Sequence, residues 1–156
     1  MALDLTKRSE LTRRLTANEV DQNFTDIENA INNGSNAYQV IVCDVSRDET
    51  TDLTTGTSKY VFRMPYAMTL SEVRASVSTV ATGSTIIVDI NEGGTTILST
   101  KLSIDVSEKT STTAATPAVI SDDALADDAE ITIDIDQIGS LTAGKGLKVY
   151  LIGNIS

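Results

Sequence analysis

One short amphipathic helix pattern, placed ahead of a long β-type sequence, most constrains what this chain can fold into. Four apolar residues recur at spacings of four, three and four positions, which places them on one face of a helix: Val20, Phe24, Ile27 and Ile31. Thr16 and Glu19 form a capping-box pattern at its start, and Gly34 suits the left-handed position that ends a helix. The stripe covers only about a heptad and a half, so the helix needs support from the β-type part of the chain or from a host. We expect copies of the chain or a larger assembly to bury these four residues, which we call the predicted seam.

The rest of the chain has the pattern of antiparallel strands. Ile131, Ile133 and Ile135 alternate with polar residues, as in a strand with one solvated face. The pattern predicts strands at 38–45, 59–64, 68–80, 85–91, 95–101, 109–113, 118–120, 130–135 and 147–152. Gly93 and Gly94 predict a tight hairpin. Eight or nine short strands favour an all-β fold, an antiparallel β-sandwich of jelly-roll type preceded by one short N-terminal α-helix.

We expect two domains, an arm and helix at residues 1–35 that attach and oligomerise, and a β-sandwich at 36–156. Residues 1–15 scatter leucines among charges, and such a segment is expected to order only against a neighbour. The basic residues of this predicted docking arm are Lys7, Arg8, Arg13 and Arg14. They give the first 16 residues a net charge of about +2, against about −12 for the remainder. The arm is expected to dock on an acidic neighbour, such as an adjacent subunit; a solvated charge pattern is the alternative.

Composition argues against most catalytic classes. The chain has no histidine, so the commonest general base and metal ligand is missing. The one cysteine, Cys43, excludes an internal disulfide and a cysteine-based zinc site, and its apolar surroundings predict that it is buried. No nucleophile elbow, P-loop or dinucleotide motif occurs. We therefore expect no catalytic residues and no cofactor.

Acidic and tyrosine residues keep two alternatives open. Six carboxylates are possible calcium ligands, although their spacing does not match an EF-hand loop: Asp122, Asp123, Asp127, Asp128, Asp134 and Asp136. Two facing carboxylates are also the machinery of glycoside hydrolysis. Carbohydrate binding usually uses aromatic platforms, for which the chain has no Trp and four scattered tyrosines: Tyr38, Tyr60, Tyr66 and Tyr150.

The charge and hydropathy of the chain bear on its partners and its cellular location. A net charge of −10 argues against binding to nucleic acid, which requires a basic face. No run approaches the ~20 apolar residues of a membrane span, and the N-terminus lacks the pattern of a signal peptide. We expect a soluble protein that is made in a cytoplasm and has no nucleic-acid or membrane partner.

Several stretches carry a family resemblance. The segment 15–27, LTANEVDQNFTDI, resembles one common near the start of tail-fibre and other appendage proteins of tailed bacteriophages. Five later stretches resemble β-sandwich modules of such virion proteins: 62–70, 88–104, 108–116, 125–134 and 146–153. The resemblance implies a trimeric, non-enzymatic, β-rich component of the particle, and it supplies no catalytic residues.

These observations together predict a structural protein of a virion. We expect a trimer that acts as a short tail-fibre, appendage or fibre-anchoring component and is attached through its arm and helix. The alternative is a capsid decoration (cement) protein that stabilises the head, and a carbohydrate- or receptor-binding module is less favoured. The expected partners are other copies of the chain and other tail or capsid proteins, and a host surface glycan is a possible but unsupported partner.

Overall fold

The computed structural model describes residues 16–34 and 38–156. Contacts divide the chain into two units, Met1–Ala37 and Tyr38–Ser156. The described part of the first unit is helix α1, Ala17–Gly34. The second unit, here called the body, contains the strands β1 (Tyr38–Asp44), β2 (Gly56–Arg63), β3 (Met68–Ser76), β4 (Ile86–Glu92), β5 (Thr95–Thr96), β6 (Leu98–Thr100), β7 (Leu102–Ile104), β8 (Val119–Ile120), β9 (Ala124–Leu125), β10 (Glu130–Gln137) and β11 (Lys148–Ile155).

Helix α1 begins with the predicted capping box. The Glu19 backbone N–H donates to Thr16 Oγ1 at 3.3 Å, and the Thr16 N–H donates back to the Glu19 carboxylate at 2.7 Å. This reciprocal capping satisfies donors that a helix start leaves unpaired and contributes about 1 kcal/mol. One turn further on, Gln22 Nε2 donates to Asp26 Oδ1 at 2.8 Å, a spacing that supports the helix.

The body is antiparallel β-structure, as predicted. Sheet 1 has the strand order β1-β11-β3-β9, and sheet 2 has the order β2-β10-β4-β5, with β7 also paired to β4. A separate pair joins β6 and β8. The pairing is nested, because β1 pairs with β11, β2 with β10, β3 with β9 and β4 with β7. The first four strands therefore alternate between the two sheets, with β1 and β3 in sheet 1 and β2 and β4 in sheet 2.

The buried side chains of both sheets form one hydrophobic cluster. Ile131, Ile133 and Ile135 of β10 are all buried, which confirms the alternation read from their sequence. Each such aliphatic side chain contributes about 1.5–3 kcal/mol relative to an exposed position. Cys43 also belongs to this cluster, and burial raises the pKa of its thiol to about 12, as expected of a small buried hydrophobe.

Three predicted strands were wrong in detail. The strand predicted for 95–101 is divided into β5 and β6, which belong to different sheets. Residues 109–113 contain a short 3₁₀-helix, Ser111–Thr113, instead of a strand. Its first turn is closed by Thr110, whose hydroxyl accepts the Thr112 N–H at 3.2 Å and so competes with strand pairing. The strand predicted for 68–80 ends at Ser76, and the following residues make only isolated bridges. The two-residue strand β9 and the three-residue strand β7 were not predicted.

The loop between β1 and β2 yields a prediction about acid stability. Asp48 Oδ1 accepts the backbone N–H groups of Thr51 at 2.6 Å and Thr50 at 2.7 Å, which lowers the pKa of this carboxyl from 3.8 to about 2. A lowered folded-state pKa means that the stability contributed by the carboxylate is complete above about pH 4 and is lost as the pH falls towards 2. We expect Asp48→Asn to flatten the fall in melting temperature below about pH 4, measured by calorimetry. Parallel profiles for the two proteins would contradict this assignment.

Candidate functional site

The four predicted seam residues lie along α1 and are exposed in the single chain. Phe24 is 62% exposed and Ile31 is 66% exposed, and Val20 and Ile27 are each more than one third exposed. Single exposed apolar residues are common on protein surfaces, whereas an apolar stripe of this size marks an interaction surface. The stripe is therefore available to a partner, and the identity of that partner stays a prediction. The predicted docking arm, with Lys7, Arg8, Arg13 and Arg14, lies outside the described residues.

A second apolar surface lies on the outward side of sheet 1. Tyr38, Val40 and Val42 of β1 are exposed. The strand register places Val42 opposite Tyr150 and Val40 opposite Ile152 of β11, and both of these partners are half-buried. Residues directly opposite in a sheet have neighbouring side chains. These five residues are called the apolar face.

Two ion pairs lie beside the apolar face. Arg74 Nε lies 2.6 Å from Glu72 Oε1, and Arg74 Nη2 donates to Glu72 Oε2 at 2.8 Å. These bonds from Arg74 lower the pKa of Glu72. Lys148 bonds Glu49, and that bond raises the pKa of Lys148. The outward side of sheet 1 thus presents an apolar centre next to two ion pairs.

The edge of sheet 1 next to the apolar face has little protection. In the part of the chain that the structure describes, β1 pairs with β11 and with no strand on its other side. Its seven-residue register with β11 runs without a bulge, and β1 contains neither Pro nor Lys. Proteins usually protect a free sheet edge with a bulge, a Pro or a Lys, because the unpaired backbone groups of the edge can pair with a strand of another chain. The free edge and the apolar face therefore belong to the same strand.

The outward side of sheet 2 is acidic instead. Asp89 of β4 lies opposite Asp134 of β10. Asp89 is buried, and Lys101 Nζ lies 2.9 Å from its Oδ2 while also bonding Asp136. The hydrogen bonds that Lys101 donates to Asp136 and Asp89 raise its pKa. We call this side, with Asp89, Asp134 and Asp136, the acidic face.

Neither the calcium nor the carbohydrate alternative gains an assembled site. Within residues 16–34 and 38–156, no group of three or more His, Cys, Asp or Glu side chains is placed to hold a metal ion. Asp134, one of the suggested ligands, accepts the Ser58 N–H at 2.6 Å and Asn91 Nδ2 at 3.1 Å. Tyr60 packs against Phe62, with ring centroids 6.0 Å apart, so it does not join the sheet 1 tyrosines in an aromatic platform.

A groove of about 470 Å³ lies beside β3. On the side away from β11, the described residues provide no strand partner for the stretch 71–74 of β3, because β9 pairs only with Met68 and Thr69. The segment 117–120 lines the opposite side of the groove. Its lining mixes the Glu72–Arg74 ion pair with hydroxyl side chains and with small and large apolar side chains, so it has no strong chemical preference for one ligand class.

Comparison with known proteins does not assign the chain to a family. No protein-family description matches the sequence, and neither a curated protein nor a solved structure matches it. Of the helices in the described residues, none has the length and apolarity needed to cross a membrane.

The apolar face was missed in the sequence reading, although a signal for it was present. Within Tyr38–Cys43, apolar residues occupy both alternating sets of positions, since Val40 and Val42 are interleaved with Ile41 and Cys43. A strand that is apolar on both sides is typical of one covered on both faces. In the described residues, Cys43 is buried and Ile41 is partly buried, whereas Val40 and Val42 are both about half exposed.

Proposed function

We propose that this chain is a non-enzymatic structural protein of a tailed-bacteriophage virion, a trimer attached to the particle through its N-terminal arm and helix. The observation that carries the proposal is the apolar stripe of α1, whose four large side chains are each more than one third exposed. A short helix of this kind gains most of its stability from packing its apolar stripe. Three copies would bury it as a common seam.

Trimerisation would also explain how weak contacts hold such a protein in place. Each copy would bring one arm, and three linked arms bind with an effective concentration far above that of a free one. The basic residues of the arm, Lys7, Arg8, Arg13 and Arg14, suit an acidic docking surface. In this arrangement the body projects from the attachment point, as in a tail fibre, an appendage or a fibre anchor.

The nested pairing of the strands supports a jelly roll for the body. A jelly roll forms when a long antiparallel hairpin is wound so that its strands alternate between two sheets. The pairs β1–β11, β2–β10, β3–β9 and β4–β7, distributed over sheets 1 and 2, follow that scheme. A compact β-rich lobe of this kind suits a particle component.

A capsid decoration protein is the second candidate, and the difference between the two sheet faces favours it. A body with an apolar face on sheet 1 and an acidic face on sheet 2 suits a position on a shell, with one side in contact and the other in solvent. Imaging of intact particles decides between the candidates, because the tail role predicts density at the tail and the decoration role predicts density on the head.

The seam is tested by changing the charge on one face of α1. We expect the double variant Phe24→Asp/Ile27→Asp to dissociate the trimer to monomers, because burying two carboxylates in an apolar seam is strongly unfavourable. The mass of the full chain is measured by sedimentation equilibrium. The control Asn18→Asp/Asn29→Asp adds the same charge to the opposite side of the helix and should keep the wild-type mass. An unchanged mass for the seam variant would exclude the seam.

A further inference from the structure

We propose that the apolar face of sheet 1 is a second contact between copies of this chain, so that its occupant is another copy. The inference rests on the proposed oligomeric function and adds a surface of the body to it. The face consists of Tyr38, Val40, Val42, Tyr150 and Ile152, whose side chains are neighbours on two paired strands. Contiguous exposed apolar patches of this kind mark interaction sites.

The distribution of charge selects a copy as the occupant. Residues 38–156 contain 16 acidic and 8 basic residues, so the body carries a net negative charge. Two bodies therefore repel each other over distances up to the Debye length of ~10 Å. Contact through the acidic face of sheet 2 would increase that repulsion. Contact through sheet 1 avoids it, because the outward side of this sheet carries as many basic as acidic residues: Asp44, Glu72, Arg74 and Lys148. A strongly basic partner would instead be drawn to the acidic face.

The order of the elements along the chain strengthens the argument. Only residues 35–37 separate the end of α1 from the start of β1. If copies associate through α1, this short connection keeps their β1 strands at a high effective concentration. A weak contact between apolar faces then forms as an intramolecular step.

Two polar atoms mark the ends of the same outward side. Asp44 Oδ1 and Asn154 Oδ1 are buried acceptors for which the described residues supply no hydrogen-bond donor. In the strand register, Asp44 lies opposite Lys148 and Asn154 lies opposite Tyr38, at opposite ends of the β1–β11 pair. Buried acceptors normally have donors. Both acceptors are therefore open to donors from a second copy that covers this side of the sheet.

Cross-linking provides the direct test, and the chain offers a matched control. Val40 is 52% exposed on the apolar face, and Val61 is 48% exposed on the outward side of sheet 2. Val40→Cys and Val61→Cys are prepared in the full chain and treated with a short bismaleimide. Cys43 contributes little background, because its thiol is buried and its pKa is raised to about 12. We expect roughly tenfold more covalent dimer from Val40→Cys than from Val61→Cys, because two thiols held at a contact react at a higher effective concentration than two thiols that meet by collision.

A second set of variants separates this inference from the helix seam. The mass of Val40→Asp/Val42→Asp is measured over a range of concentrations beside that of Val61→Asp and that of the Phe24→Asp/Ile27→Asp helix variant. We expect the face variant to dissociate at concentrations where Val61→Asp stays assembled. The helix variant should retain weak association that disappears when the face substitutions are added.

Each outcome has a distinct meaning. Equal cross-linking at Val40 and Val61 overturns the inference, even if the helix variant dissociates and the proposed function stands. Dissociation of the face variant alone supports the inference and excludes the helix seam. A wild-type chain that is monomeric at every concentration overturns both. If the aspartate variants lose their circular dichroism signal, the cross-linking ratio decides, because Val→Cys at an exposed position does not disturb the core.

Discussion

Gly153→Ala is expected to destabilise the body by about 3 kcal/mol, because the added methyl group has no space. A Cβ at this position would lie 2.1 Å from the Thr69 carbonyl oxygen and 2.8 Å from Leu70 Cα. Both are backbone atoms of β3, so no side-chain rotation can relieve the clash. Gly153 also lies where the register between β11 and β3 shifts, so relief would require the two strands to separate. Urea denaturation measures the loss as a lower transition midpoint.

Gly93→Ala is the matched control for this prediction. Gly93 lies in the hairpin between β4 and β5, and a Cβ there has no atom within 4 Å. Its φ is +55°, so alanine costs about 1 kcal/mol for the left-handed conformation alone. We expect the Gly153 variant to lose clearly more stability than the Gly93 variant. Equal losses of stability in the two variants would show that the close approach of β11 and β3 is not the reason for glycine at position 153.

Lys101→Met should destabilise the body by about 2–3 kcal/mol, since it leaves the buried Asp89 carboxylate without its cation. This expected loss of stability is smaller than that for a fully buried ion pair, because Lys101 is partly exposed and has Asp136 as a second partner. Asp89 would keep the Thr96 hydroxyl and its own strand's Ile90 N–H as donors. The measurement is again urea denaturation at neutral pH.

A double variant isolates the charge in this prediction. Adding Asp89→Asn to Lys101→Met removes the unpaired charge, so we expect it to recover part of the lost stability. Arg63→Met is the control at an exposed pair, since Arg63 and Asp128 are both mostly solvated and such pairs contribute about 0–1 kcal/mol. If the double variant is less stable than Lys101→Met, the uncompensated carboxylate is not the cause.

Local signals in the sequence predicted the helix and the long strands well. The Thr16–Glu19 capping box and the 3.6-residue stripe depend on neighbours within one or two turns, and both are present in α1. The alternation of Ile131, Ile133 and Ile135 likewise depends on one buried side of one strand. The hairpin at Gly93 and Gly94 also forms as predicted, and both residues have positive φ angles.

The remaining features depend on distant parts of the chain. β7 and β9 are too short to show a period of their own, and they are strands only because β4 and β3 pair with them. The contact between Asp89 and Lys101 follows from how β4 and the segment before β7 are folded together. The apolar face was missed for a similar reason, because whether Val40 and Val42 are covered depends on what lies across sheet 1.

The pairing of the first and last strands of the body has a mechanical consequence. Tyr38 lies opposite Asn154, so the start of β1 and the end of β11 adjoin each other in one ladder. A pulling force applied between these two points would open that ladder like a zipper, one hydrogen bond at a time, and would not load all its bonds together. The β1–β11 ladder is thus the part of the body that opens first under tension. A neighbouring molecule bound along β1 would oppose that opening.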